Sequence, residues 1–106
     1  MRILFDQGTP APLRGFLTGH RVETCSERGW STLTDRELLD QAEAAGFDLF
    51  ITTDRNLKHQ QGLLGSRLAI LVLSTTSWPR IRQRGTAVAL AVDAMSSGDY
   101  RELRIE

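Results

Sequence analysis

Apolar residues in this chain fall into short runs without alternation, separated by stretches in which they recur at helical spacing. Ile3-Leu4-Phe5 is the first such run, and it reads as a strand over residues 2–5 buried on both faces. Thr9 and Pro10 then signal a helix start, and Leu13, Phe16 and Leu17 make an apolar stripe that Gly19 closes. Residues 21–25 are more polar and fit a strand near the sheet edge. Thr34-Asp35-Arg36-Glu37 has the spacing of a capping box, in which a threonine hydroxyl and a glutamate three residues on satisfy each other's backbone amides. The helix it opens carries Leu38, Leu39, Ala42 and Ala45 on one face and stops at Gly46. Residues 48–52 make a third strand, and Asn56 starts a helix through Leu57, Leu63 and Leu64. The most apolar stretch, residues 68–73, reads as the central strand. A last helical region begins at Ser77-Trp78-Pro79, breaks at Gly85 and carries Ile81, Val88, Val92 and Met95 before Gly98; residues 100–105 close the chain as an edge strand.

Five strands thus alternate with four helices, joined by connections too long for hairpins. That pattern predicts an α/β fold, a three-layer α/β/α sandwich with a mostly parallel five-stranded sheet and helices on both faces, because right-handed crossovers lay helices above and below. With 106 residues and 41% hydrophobic composition the chain suits one domain spanning 1–106 around a single real core. Thirteen basic residues balance thirteen acidic ones, so a polyanion would have to be met by a local patch. Cys25 is the only cysteine, which excludes an intramolecular disulfide and suits a reducing compartment. Asp6 interrupts the apolar region that a signal peptide would continue, and no apolar run approaches membrane-spanning length, so a cytoplasmic protein is expected.

Three segments end in aspartate: Ile3-Leu4-Phe5-Asp6, Ser31-Thr32-Leu33-Thr34-Asp35 and Leu49-Phe50-Ile51-Thr52-Thr53-Asp54. In an alternating parallel fold, ligands sit beyond the carboxyl ends of the strands, where each helix also begins. Asp6 follows strand one, Asp54 follows strand three, and Asp35 lies in the first turn of the helix after strand two. All three carboxylates are therefore expected at one edge. Gathered acids repel and desolvate one another and are tolerated mainly when a divalent cation or a proton neutralises them. Each acid also has a plain structural reading: Asp35 and Glu37 as a helix-start device, Asp6 and Asp54 as turn residues bonding loop amides. It is their coincidence at one edge that points to Mg²⁺ or Mn²⁺, hard cations that take oxygen ligands and keep several waters.

The same residues resemble a known family. Met1-Arg2-Ile3-Leu4-Phe5-Asp6, Gly19-His20-Arg21-Val22, Gly29-Trp30, Thr34-Asp35-Arg36-Glu37-Leu38-Leu39 and Asp48-Leu49-Phe50-Ile51-Thr52-Thr53-Asp54-Arg55-Asn56-Leu57 are similar, in order, to the small PIN-like family of bacterial proteins. PIN domains are typically Mg²⁺- or Mn²⁺-dependent ribonucleases, and many are toxins held inactive by a cognate antitoxin. The resemblance implies Asp6, Asp35 and Asp54 as catalytic, metal-binding acids, single-stranded RNA as substrate and an antitoxin protein as partner. Relatives usually carry Asp-Glu-Asn after the first strand, whereas this chain has Asp6-Gln7-Gly8; a non-catalytic interaction module that kept the fold is the alternative. Larger PIN domains add a helix glutamate, for which Glu37 or Asp40 is a loose counterpart.

A third reading is a receiver-type phosphoacceptor using Asp54, with Asp6 and Thr75 or Thr76 nearby; against it stand Gln7 in place of a second acid and the lack of a lysine near the end of the last strand. Arg55, Lys58 and His59, with Arg80, Arg82 and Arg84, supply charges that suit RNA phosphates or simply solvated helix faces, and Trp30 or Trp78 is either a base platform or a packed lid. Asp93 reads as an ordinary surface acid. Leu103 and Ile105 on the last strand would permit a homodimer.

Overall fold

Alternation along each strand decides which layer its side chains meet. In the computed structural model, which describes residues 1–57 and 67–106, the strands are β1 (Arg2–Phe5), β2 (Arg21–Thr24), β3 (Leu49–Thr52), β4 (Ala69–Leu73) and β5 (Tyr100–Leu103). They form one sheet in the order β2-β1-β3-β4-β5, with every neighbouring pair parallel. Ile3, Phe5, Leu49, Ile51, Ala69, Leu71 and Leu73 cover one face, packed under a 3-10 helix over Ala11–Phe16 and the helices α2 (Trp78–Gln83) and α3 (Gly85–Asp93). Leu4, Phe50, Ile70 and Val72 cover the other, against Leu38 and Ala42 of α1 (Asp35–Ala44) together with Phe47, Leu57 and Leu68. The α/β architecture with a five-stranded parallel sheet and helices on both faces is the one the sequence predicts.

β1, β3 and β4 are buried on both faces apart from Arg2, which accounts for their unalternated apolar runs, whereas β2 and β5 are half-exposed edges. The middle strand is β3, not the more apolar β4. Burial on both faces is common to every interior strand, so hydrophobicity separates interior from edge without ranking the interior ones. Leu103 is half-buried and Ile105 buried, both packing inward on the core. Among the described residues no helix is long and apolar enough to cross a membrane.

α1 has both ends written in the sequence. Thr34 Oγ1 accepts the Glu37 amide at 3.2 Å while Glu37 Oε1 accepts the Thr34 amide at 2.9 Å, completing the capping box. At the other end the Phe47 amide reaches the Ala42 carbonyl and the Gly46 amide that of Glu43, a Schellman closure that needs the positive φ of 85° at Gly46. The first helix differs from expectation. It is a 3-10 segment capped by Pro10, and the Thr9 hydroxyl expected to cap it turns instead toward β1 and β3. The helix proposed beyond Asn56 falls mostly on residues 58–66, outside the described residues.

α2 and α3 meet at Gly85, where a Cβ would come within 2.4 Å of the Phe16 ring. That ring also lies 6.3 Å from Trp78, so the glycine lets the 3-10 helix seat on the α2–α3 junction. Gly85→Ala is expected to destabilise the protein by about 1–3 kcal/mol through overpacking, and adding Phe16→Ala is expected to recover part of that loss; thermal denaturation of the two variants checks both.

Candidate functional site

Strand order places a crevice at one point on the C-terminal edge. The chain leaves β1 for β2 on one side and then crosses back to β3 on the other, so the loops diverge above β1 and β3, where open parallel sheets bind ligands. Asp6 follows β1 immediately, its amide bonded to the Ile51 carbonyl at 3.1 Å, and Asp54 lies two residues past β3.

Two buried threonines orient the Asp6 carboxylate. Thr9 contributes its amide at 3.0 Å and its hydroxyl at 2.7 Å to Oδ1, and Thr52 donates its hydroxyl to Oδ2 at 2.6 Å. The Thr9 hydroxyl also lies 2.9 Å from the Ile51 carbonyl, but the charged oxygen is the stronger acceptor for its single proton. Thr52 in turn accepts the Asp54 amide at 3.1 Å. One hydroxyl thus links two acids: the Asp54 amide donates to Thr52, and Thr52 donates to Asp6. Among the described residues three of the four lone-pair positions of the Asp6 carboxylate are occupied, which leaves Oδ2 a direction for one more partner.

Asp54 closes a turn by accepting the Asn56 amide at 2.9 Å on Oδ1. Asp35 reaches the same edge from the first turn of α1. Its pKa is raised above the ordinary aspartate value, first by desolvation, then by a hydrogen bond to the Asp54 carboxyl, by the charge of Asp54 and by that of Asp6. The three acids singled out in the sequence are therefore electrostatic neighbours. Among the described residues no basic side chain is ion-paired with any of them, and no three histidine, cysteine, aspartate or glutamate side chains are drawn tightly enough to enclose a metal ion as they stand. Glu37 is absorbed by the helix cap, where the Thr34 amide and hydroxyl hold its pKa below the usual glutamate value, and Asp40 is an exposed residue of α1.

Gln7 and Gly8 both serve the scaffold. The Gln7 side-chain amide donates to the Ser31 carbonyl, tying the turn after β1 to the loop that leads into Asp35. At Gly8 a Cβ would lie 2.5 Å from Thr53 Oγ1, so glycine lets the turns after β1 and β3 approach and brings Asp6 close to the Asp54 turn. Cys25 is buried nearby, and burial together with the charge of Asp6 pushes its thiol up to about 12, so it remains protonated. Asp6, Gln7 and Cys25 border a shallow cleft of about 430 Å³ between the ends of β1 and β2.

Both tryptophans pack within the protein. Trp30 meets the Phe47 ring edge-on at 6.1 Å beneath Arg28, and Trp78 meets Phe16. Asp93 bonds His20 Nε2 at 2.9 Å, far from the acid edge on the 3-10 and α3 side. Comparison with family models, with curated proteins and with solved structures returned no match.

The donor set Asp6, Asp35 and Asp54 is all oxygen and is paired with no cation among the described residues; once Asp35 is ionised, that is the chemistry a hard divalent ion fits, since such ions complete their shell with water. The roles of Thr9 and Thr52 as supports are not evident from the sequence motifs. The signal for Thr52 is a hydroxyl at an inward position of a strand otherwise buried and apolar, a polar group that burial obliges to find a partner.

The raised Asp35 pKa fixes a sign. Its native state holds the proton more tightly than the unfolded chain, so stability falls as pH rises through the window between the ordinary aspartate value and the raised one, and stays lower above it. In chelator, Asp35→Asn is expected to denature at a higher temperature than wild type at pH 7, with the two curves converging as the pH is lowered through that window.

Proposed function

We propose that this protein is a metal-dependent endoribonuclease of PIN-like type that cleaves single-stranded RNA, the toxin half of a toxin-antitoxin pair. The observation carrying the reading is that Asp6 and Asp54, joined through the Thr52 hydroxyl, stand at the crevice between β1 and β3, with Asp35 opening α1 and feeling both their charges. The resemblance of Asp6, Thr34-Asp35 and Thr53-Asp54 to the motifs of small PIN-like proteins is what suggests the reaction class and an inhibitory antitoxin.

In this reading Asp6, Asp35 and Asp54 hold Mg²⁺ or Mn²⁺. The bound ion would polarise a phosphoryl oxygen, lower the pKa of a water and stabilise the departing oxygen. The chain's own part is positional. Thr9 and Thr52 fix the Asp6 carboxylate, so that its remaining Oδ2 direction is set before ligand arrives, and supporting bonds of this kind tune a ligating carboxylate. The Asn56 amide does the same for Asp54. Gln7, in place of the acid usual in relatives, anchors the Asp35 loop, and the site works with three carboxylates.

The parallel order β2-β1-β3-β4-β5 also suits a phosphoacceptor with Asp54 as the acceptor. That reading is the weaker one because one Asp54 oxygen is committed to the Asn56 turn, the carboxyl is bonded to Asp35, and Gln7 stands where a second acid is needed. A module without catalysis would need no ion at all.

Incubating single-stranded RNA with Mn²⁺, with and without chelator, separates these possibilities. Wild type is expected to cleave only with free Mn²⁺, and Asp6→Asn with Asp54→Asn is expected to lose more than the roughly 10- to 100-fold that follows removal of a ligand's supporting group. Equal cleavage by both proteins would remove the acids from the chemistry.

A further inference from the structure

The C-terminal edge has a second pole. Beyond β4 and β5 lies a cleft of about 490 Å³, a volume within the range of small-ligand sites, bordered by Arg55, Arg80 and Arg104, the Ser74 and Thr75 region and one acid, Glu102. In a chain whose basic and acidic residues balance, three guanidiniums around one cleft are a local concentration of charge. Among the described residues none is neutralised by a close acid: Arg55 Nη2 donates to the Ser74 carbonyl at 3.0 Å, Arg104 has an exposed contact of 3.8 Å with Glu106, and Arg80 forms no ion pair.

The cleft is braced by its backbone. Ser74 follows β4 and accepts the Ile105 amide on Oγ at 2.7 Å, while its own amide bonds the Leu103 carbonyl at 3.2 Å. Arg104 therefore leaves the chain between a strand residue in register with β4 and a buried, pinned Ile105. The bond from Arg55 to Ser74 sets a second guanidinium on the same rim, and Arg80 reaches it from α2. Planar guanidiniums with several donors suit a phosphate better than a point charge does.

We propose that this cleft binds a phosphate of a single-stranded nucleic acid other than the one being cut. Neighbouring strands stand about 4.8 Å apart, so the cleft over β4 and β5 lies roughly 10 Å along the edge from the acids over β1 and β3. A strand laid along the edge covers that span in roughly three stacked nucleotides at about 3.4 Å each. The acids alone repel a polyanion; the arginines supply the attraction that brings one to them. Naming RNA as the strand rests on the nuclease reading above, but the phosphate site does not require catalysis.

The test is binding of a fluorescein-labelled single-stranded 10-mer RNA in chelator, where cleavage cannot occur, to wild type, to Arg80→Gln with Arg104→Gln, and to Asp6→Asn. The arginine variant is expected to bind at least tenfold more weakly, with a salt slope shallower by about 1.4 for two lost contacts, while Asp6→Asn binds as well as wild type or better. An unchanged thermal midpoint in the arginine variant confirms that it is folded. Equal affinity and slope in wild type and the arginine variant would overturn the proposal and leave the nuclease reading standing; arginine-dependent binding by a protein that never cleaves would uphold the cleft and defeat the nuclease reading. Inorganic phosphate should displace the RNA only at concentrations where chloride does so too. Displacement by phosphate at micromolar levels, or by an oligoglutamate peptide more readily than by unlabelled RNA, would overturn the assignment to a nucleic-acid strand.

Discussion

Repulsion among carboxylates at the end of a parallel sheet is the constraint around which this molecule is arranged. Parallel strands deliver their C-terminal residues to one edge, and here β1 and β3 end at Asp6 and, two residues on, Asp54, while Asp35 opens α1 and feels the charge of both. The cost is visible in Asp35, whose ionised form is disfavoured by desolvation and by its two neighbours. Thr52 bridges the Asp54 amide to the Asp6 carboxylate, and Thr9 secures the other oxygen.

Other features follow from keeping that crevice closed up. Gly8 lets the turns after β1 and β3 come together, Gln7 fastens the loop ahead of Asp35, and the capping box at Thr34 fixes where α1 begins. The opposite layer has a separate task. The 3-10 helix, α2 and α3 cover the other face, while α2, the turn after β3 and the end of β5 carry Arg80, Arg55 and Arg104 to the far side of the same edge. The edge therefore runs from acidic to basic along the strand order, a polarity that suits a phosphodiester chain lying across the strand ends.

Much of this was legible in the sequence, for identifiable reasons. The runs Ile3-Leu4-Phe5 and Leu68–Leu73 are readable because a strand buried on both faces must be apolar throughout, and α1 because its capping box and Gly46 are local codes for a start and a stop. The positions of Asp6 and Asp54 at the strand ends follow from topology alone. What escaped was decided by contacts between distant segments. Thr9 looked like a helix cap because its partners, Asp6 and the Ile51 carbonyl, are matched only once β1 and β3 are side by side. Gln7 and Gly8 read in the sequence only as departures from the motif it resembles, because their partners Ser31 and Thr53 come opposite them only in the folded chain. The cleft of Arg55, Arg80 and Arg104 joins residues from three separate elements, and no single window of sequence contains it.

The account stands or falls on whether the acid edge takes a hard cation, and calorimetric titration of Mn²⁺ into the protein tests that most directly. It predicts saturable binding near neutral pH, with protons released as the pH is lowered toward the Asp35 transition and with the heat lost in Asp6→Asn. No binding, or binding unchanged by Asp6→Asn, would contradict it.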